Sequence, residues 1–178
     1  MRGKAEQGFT LIELLIVVAI ISIIAAIAVP GLLRARMTGN ETSAIASLKV
    51  TTSSQVAYSA SCGQGAYAAT YAVLGTPPNG TTEAFISQDL GDPNGTDPRL
   101  KSGYQFVLQA DGGSVAGPND CNGTATISAW YASGIPQTFG TTGTRSFAVN
   151  AGNTVWQNNT AAAPQSPFLT SNGDTPIQ

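Results

Sequence analysis

Between Phe9 and Leu33 the chain runs for 25 residues with a single charge, Glu13. As a helix this stretch would reach about 37 Å at about 1.5 Å per residue. The hydrocarbon core of a bilayer is thinner, at roughly 30 Å. A surface helix of a small soluble domain keeps one polar face, and this one would have none. Three destinations fit such a segment. A secretory leader would use Arg2 and Lys4 as its positive end and Ala26-Ile27-Ala28 as its cleavage site. A plain membrane anchor would need only the length. The third reading takes Glu13 as functional, because a carboxylate inside an apolar run is costly and marks a task. Charge does not fix the orientation, since Arg2 and Lys4 flank one end and Arg34 and Arg36 the other.

The remainder of the 178-residue chain has the size of one domain. Histidine is absent throughout, which removes Ser-His-Asp and Cys-His hydrolases and His-built zinc or iron sites. Lys and Arg number 8 against 10 Asp and Glu, a net charge of -2, so there is no basic field for nucleic acid. The 20 Gly and 10 Pro, with abundant Thr, Asn and Ser, suit turn-rich β structure.

Residues 34–61 stay compatible with helix and become amphipathic. Ile45, Leu48, Thr52 and Val56 make one face, and Ala46, Val50 and Ala57 a second. A helix held on both sides and a helix with one generous core face account for this equally well. Pro30-Gly31 and Gly39 weaken the helix locally. From Cys62 to about Leu100 turn signals at Pro77-Pro78-Asn79-Gly80 and Asp92-Pro93-Asn94-Gly95 predict a long surface loop, with a helical turn within 65–74. Strands are predicted from Tyr104, over Thr126–Ala132, over Arg145–Asn150 and over Asn153–Asn158. Tyr104, Phe106 and Leu108 would share a face, as would Ile127, Ala129 and Tyr131, and Phe147 and Val149. Asn150-Ala151-Gly152-Asn153 would join the last two strands as a hairpin. Residues 160–178 read as a polar, loosely packed tail.

The run Gly8-Phe9-Thr10-Leu11-Ile12-Glu13-Leu14-Leu15-Ile16-Val17-Val18 resembles the N-terminal motif of type IV pilins and type II secretion pseudopilins. The resemblance implies that a prepilin peptidase cuts after Gly8 on the cytoplasmic side and N-methylates Phe9. It implies that Glu13, fifth in the mature chain, serves assembly, and that Pro30 stands where the family often has a helix-breaking proline. The residues make physical sense beside the name. Cutting after Gly8 leaves an α-amino cation at Phe9, and a carboxylate offsets part of the cost of burying it. Subunits stacked with a stagger would let Glu13 of one meet the Phe9 amine of the next and so set register. The segment from Tyr131 through Pro136 and Gly140 to Val149 is similar to the C-terminal part of some bacterial pilins and pseudopilins.

In an exported domain the two cysteines, Cys62 and Cys121, read as one disulfide, with two free buried thiols as the alternative. Asp89, Asp92, Asn94 and Asp97 resemble an oxygen-rich calcium loop only loosely and fail the EF-hand spacing, so an acidic turn in water is the plainer reading. Five Asn-x-Thr triplets, beginning at Asn40, Asn79, Asn94, Asn122 and Asn158, fit chance in an Asn- and Thr-rich chain. Phe9 and Tyr58 are the only aromatics before residue 62, too few for an aromatic stack along the helix.

The expectation is an α+β fold in four parts. These are a leader 1–8, an apolar transmembrane or filament-core helix 9–33, its amphipathic continuation 34–61, and a β domain 62–178 with about four antiparallel strands. The expected function is structural, as a subunit of a type IV pilus-like filament, with no enzymatic activity, cofactor or metal. Its expected partners are copies of itself, the prepilin peptidase, an inner-membrane assembly platform and, before assembly, membrane lipid, with no direct nucleic acid. It would wait in the bacterial inner membrane with its domain in the periplasm, then move to the cell surface. A pseudopilin of a type II secretion system is one alternative. A soluble secreted binding domain released after Ala28 is the other.

Overall fold

The computed structural model describes residues 8–177, so residues 1–7 of the expected leader lie outside the described residues. The architecture is α+β. Helix α1 (Leu11–Ser61) is followed by two single turns, α2 (Tyr71–Leu74) and α3 (Gln88–Gly91). The strands are β1 (Arg99–Lys101), β2 (Tyr104–Ala110), β3 (Ala116–Asn119), β4 (Ala125–Ile127), β5 (Trp130–Pro136), β6 (Ser146–Asn150), β7 (Trp156–Asn158) and β8 (Thr175–Pro176). Two compact units divide between Arg36 and Met37.

The described part of the first unit is the apolar stretch of α1. No residue from Gly8 to Arg36 is buried, and its large apolar side chains stand open, from Phe9 at 93% exposed to Leu33 at 53%. Length and composition suffice to cross a membrane. The helix continues through Pro30, which has no N–H to give the carbonyl one turn back.

The second unit packs its share of α1 against an antiparallel sheet ordered β1-β2-β5-β6-β7-β8, with β3 and β4 paired as a separate ribbon. Six strands therefore stand where about four are expected. Tyr104, Phe106 and Leu108 alternate inward on β2, and Trp130, Ala132, Phe147 and Val149 complete that layer. The hairpin joining β6 and β7 forms at Asn150–Asn153, closed by the Asn153 N–H donating to the Asn150 carbonyl at 3.0 Å.

The structure departs from three expectations. The predicted second strand splits into β4 and β5, so Trp130 and Ala132 face the core while Tyr131 turns to the other side, where its hydroxyl donates to the Pro164 carbonyl. The span 62–100 is not a loose surface loop. Ala68, Tyr71, Leu74, Ile86 and Leu90 enter the core, and Gly75 meets Gly91 so closely that a Cβ on Gly75 would lie 1.3 Å from the Gly91 oxygen. The tail 160–178 is not loose either. Thr175–Pro176 adds the outermost strand, Phe168 stacks on Trp156 with ring centroids 5.4 Å apart, and Asp174 is buried.

The face that α1 buries also differs from the predicted one. Its buried residues are Glu41, Ala44, Ser47, Leu48, Thr51, Ser54, Gln55 and Tyr58, a stripe at 3–4 spacing that is mostly polar. Ile45 and Thr52 lie at its margin, and Val50 and Val56 point outward at 48% and 53% exposed. Each long polar side chain in the stripe has a partner, as burial requires. The Gln55 amide donates to the Ala68 carbonyl at 2.8 Å and accepts from the Ala68 N–H at 2.9 Å. Ser54 donates to the Phe85 carbonyl at 2.8 Å, and Thr51 and Tyr71 share a hydrogen bond at 3.0 Å. The Tyr58 hydroxyl donates to Asp120 at 2.7 Å. Burial and the Asp120 carboxylate together push that phenol well above its ordinary value.

Candidate functional site

The candidate site is the start of α1. Gly8 precedes the helix, is exposed, and has nothing within 4 Å of where a Cβ would stand; its backbone is outside the left-handed region. Among the described residues nothing therefore demands glycine at position 8. Phe9 follows, almost fully exposed.

Thr10 and Glu13 then close the first turn on each other. The Glu13 N–H donates to the Thr10 hydroxyl oxygen at 3.3 Å, while the Glu13 carboxylate accepts from the Thr10 N–H at 2.9 Å and the Thr10 hydroxyl at 2.5 Å. This reciprocal cap satisfies helix-end donors that have no partner inside the helix. It also sets a negative charge at the positive end of the helix dipole. Both contacts use Oε2; Oε1 has no hydrogen-bond partner among the described residues. One carboxylate oxygen is thus held by Thr10 and the other is not. Thr10 is not among the residues singled out from sequence. Its signal was present as Thr-x-x-Glu ahead of an apolar run.

Elsewhere the sequence-derived sites fall as follows. Pro30 lies inside α1, away from Gly8, Phe9 and Glu13 in sequence and without a contact to them that would make one site. Cys62 and Cys121 are bonded across a separation of 59 residues. The Cys121 N–H also donates to the Cys62 carbonyl at 2.9 Å. Asp89 pairs with Lys101 at 2.6 Å, Asp97 with Arg99 at 2.9 Å, and Asp92 caps the Asn94 N–H. Among the described residues no three Asp, Glu, Cys or His side chains converge as a metal-ligand set. Asn79 and Asn122, two of the triplet asparagines, spend their side-chain amides on the Cys121 and Pro77 carbonyls.

A polar cluster not read from sequence lies where α1 enters the second unit. Glu41 is 5% exposed. Its Oε1 accepts from the Thr144 N–H at 2.8 Å and the Thr144 hydroxyl at 3.0 Å, and its Oε2 accepts from Arg145 Nε at 2.9 Å and Nη2 at 2.7 Å. Arg145 reaches on to Gln157 at 2.8 Å and lies over the Phe147 ring. Beside it, Asn40 donates to the Thr142 carbonyl at 2.9 Å. Burial by itself raises the Glu41 carboxyl, but the Thr144 and Arg145 hydrogen bonds outweigh it and hold the group below its ordinary value of 4.5.

A sign and a size follow for Glu41. A carboxyl lowered in the fold adds stability above its unfolded value and loses it as pH falls through the folded one. Full-length protein in detergent should therefore lose stability below about pH 4.5. Glu41→Gln should flatten the acid side of that profile and cost about 1–3 kcal/mol at neutral pH. Denaturant melts across pH measure both, and an unchanged acid limb in the variant would assign the loss to other carboxylates.

Comparison with known proteins places the match on the same end of the chain. Residues 3–29 match the family model described as the prokaryotic N-terminal methylation motif. Over 39 residues the chain is 59% identical to the type IV wide pilus major component PilA4 of Thermus thermophilus. That stretch is 22% of this chain and 30% of the relative, so the chain matches less than a third of that protein's length. No solved structure matches it.

Proposed function

We propose that this type IV pilin-like chain, with its prepilin signal, is a structural subunit of a surface filament. It is made as a membrane-held precursor and is cut between Gly8 and Phe9. The observation that carries the reading is the start of α1. An unconstrained glycine and an exposed Phe9 precede a Thr10–Glu13 cap on a helix whose apolar surface no other described residue buries. Such a surface belongs in lipid or among other helices. After cleavage the Phe9 amine stands one residue before the cap, and Glu13 Oε1 can take the corresponding amine of a neighbouring copy. The outward row of Val50, Val56, Ala46 and Ala57 supplies a further surface for such neighbours. The partners on this reading are other copies, the processing peptidase, the assembly platform and, before assembly, the inner membrane. The wide-pilus relative favours a pilus over a secretion pseudofilament.

Intact mass of the protein from its own cells tests this. Loss of residues 1–8 with gain of one methyl supports the proposal, and loss of 1–28 sinks it. Because the fold leaves Gly8 free of steric demand, its identity answers to an enzyme. Gly8→Val should therefore keep residues 1–8 and lack the methyl, with the domain still folded. A Gly8→Val chain of mature mass would show that the peptidase reads something else.

A further inference from the structure

The pair Asn-Gly stands four times in the Met37–Gln178 unit, at 79–80, 94–95, 122–123 and 172–173. Three of the four continue into threonine, at Thr81, Thr96 and Thr124. Asparagine before glycine has a chemistry of its own, because glycine has no Cβ to screen its backbone nitrogen. That nitrogen can attack Cγ, the carbonyl carbon of the asparagine side chain. Three local conditions govern the step. The side-chain amide must be loose enough to swing over the nitrogen. The nitrogen must give up its proton. The negative charge that then develops is eased by a nearby cation and opposed by a nearby anion.

The fold gives the four pairs different surroundings. Asn79 and Asn122 hold each other. The Asn79 N–H donates to Asn122 Oδ1 at 2.9 Å, the Asn79 amide to the Cys121 carbonyl at 3.1 Å, and the Asn122 amide to the Pro77 carbonyl at 3.1 Å. Both amides are therefore pinned. Asn94 and Asn172 are exposed, and neither side chain has a hydrogen-bond partner among the described residues. The backbone does not separate these two. Each is the third residue of a turn that its glycine closes, the Gly95 N–H donating to the Asp92 carbonyl at 3.0 Å and the Gly173 N–H to the Thr170 carbonyl at 3.1 Å. Charge does separate them. A Cβ on Gly95 would lie 1.7 Å from Arg99 Nη1, with Arg99 Cζ next at 2.9 Å and Asp92 Cβ at 3.3 Å. Arg99 is 5% exposed, so its charge is little screened by salt. Asp97 meets it at Nε, 2.9 Å away, and leaves Nη1 beside Gly95. Gly173 is followed instead by Asp174, which is buried with no hydrogen-bond partner for Oδ2 among the described residues.

We propose that Asn94 is a site of spontaneous covalent modification, closing on the Gly95 nitrogen to a succinimide that opens to a carboxylate. The Gly95 nitrogen gives its proton to solvent base and bonds to Asn94 Cγ. The Cγ–Nδ2 bond breaks, and Nδ2 takes a proton from water and leaves as ammonia. Water then opens the ring, at Cγ to give aspartate or at the backbone carbonyl carbon to give isoaspartate. Nothing is oxidised or reduced, and water is the sole co-reactant. The product places one more negative charge on a loop that already carries Asp92 and Asp97. In the isoaspartate form the backbone is also longer by one atom beside Arg99. The inference concerns the folded Met37–Gln178 unit alone and stands whether or not the chain builds filaments.

The test ages the full-length chain in detergent at mildly alkaline pH, beside a second sample unfolded in guanidinium chloride with reductant. Peptide mapping by mass reads the exchange of NH2 for OH at each of the four asparagines. In the folded chain, conversion at Asn94 should run several-fold ahead of Asn79, Asn122 and Asn172. In the unfolded chain the three Asn-Gly-Thr sites should draw level, because the contacts that distinguish them are gone. Arg99→Gln should slow conversion at Asn94 to the pace of Asn172, with a thermal melt to show that the variant is folded. If that variant does not fold, the wild-type comparison of folded with unfolded chain decides by itself. A folded chain in which another asparagine leads overturns the proposal. So does a lead at Asn94 that persists undiminished in guanidinium chloride, and so does a folded Arg99→Gln chain with an unchanged rate at Asn94.

Discussion

Glu13→Ala should leave processing and membrane insertion near normal and reduce filament yield by about tenfold or more. Insertion does not suffer, because removing a carboxylate makes the segment more apolar. On the proposed function assembly does, because the Phe9 amine of a neighbour would then enter a helical core with no counter-charge, a loss repeated at every subunit. Methylation does not rescue it, since a secondary amine keeps its positive charge. The cap with Thr10 makes a sharper experiment possible. Glu13→Gln retains an acceptor for the Thr10 N–H and hydroxyl but gives up the charge. It should start the helix normally and still fail to build filaments. Counting sheared filaments by electron microscopy, beside immunoblots of mature subunit, reads both variants. Normal filaments from Glu13→Gln would mean that capping, and not charge pairing, is the role of this residue.

The second large effect is on the folded domain. Reducing the Cys62–Cys121 bond, or replacing both cysteines with serine, frees a loop closed across 59 residues. Chain-entropy reasoning puts the cost at about 4 kcal/mol. For a chain of this length that lowers Tm by on the order of 10 °C. The bond sits just beyond the last residue of α1, beside the Tyr58–Asp120 hydrogen bond and the Cys121 N–H contact to the Cys62 carbonyl. These contacts should outlast it and keep the variant native-like below its melt. Thermal unfolding of wild type and the double variant, with and without reductant, measures the difference. A wild-type melt unmoved by reductant that demonstrably opens the bond would refute the estimate.

What could be read beforehand was whatever hydrophobic pattern controls directly. The apolar run, the alternation of Tyr104, Phe106 and Leu108, and the Asn150–Asn153 hairpin all follow from period and turn chemistry. The Met37–Ser61 part of α1 defeated the same method. Its buried stripe is Glu41, Thr51, Gln55 and Tyr58 as much as Leu48, and those side chains are inward because backbone and side-chain groups farther along the chain wait for them. A single sequence does not announce that Ala68 will need the two ends of one amide, or that Thr144 will need a carboxylate. The 62–100 span and the tail looked loose for a related reason. Their Gly, Pro and Asn residues permit the close approach at Gly75 and Gly91 as readily as they permit a loop. At the candidate site Glu13 stands out as a lone charge in an apolar run, and Gly8 and Phe9 through the resemblance of their motif, whereas Thr10 shows only the Thr-x-x-Glu spacing until its hydrogen bonds are seen.

The position of the Glu41 cluster has a mechanical consequence. A pull on the chain from its N-terminal side enters the folded domain at Met37 and meets Asn40 and Glu41 first. Peeling the helix from the sheet must break their bonds to Thr142, Thr144 and Arg145 together before Leu48 can move. Were that barrier passed, the chain would pay out only as far as Cys62, since tension would then run through the sulfurs into Cys121 and leave everything between them slack. About 25 residues at roughly 3.5 Å each could be drawn straight, a tether of about 90 Å. The length released ahead of the disulfide is therefore set by the helix alone, and residues 63–120, about two fifths of the Met37–Gln178 unit, are bypassed by the force.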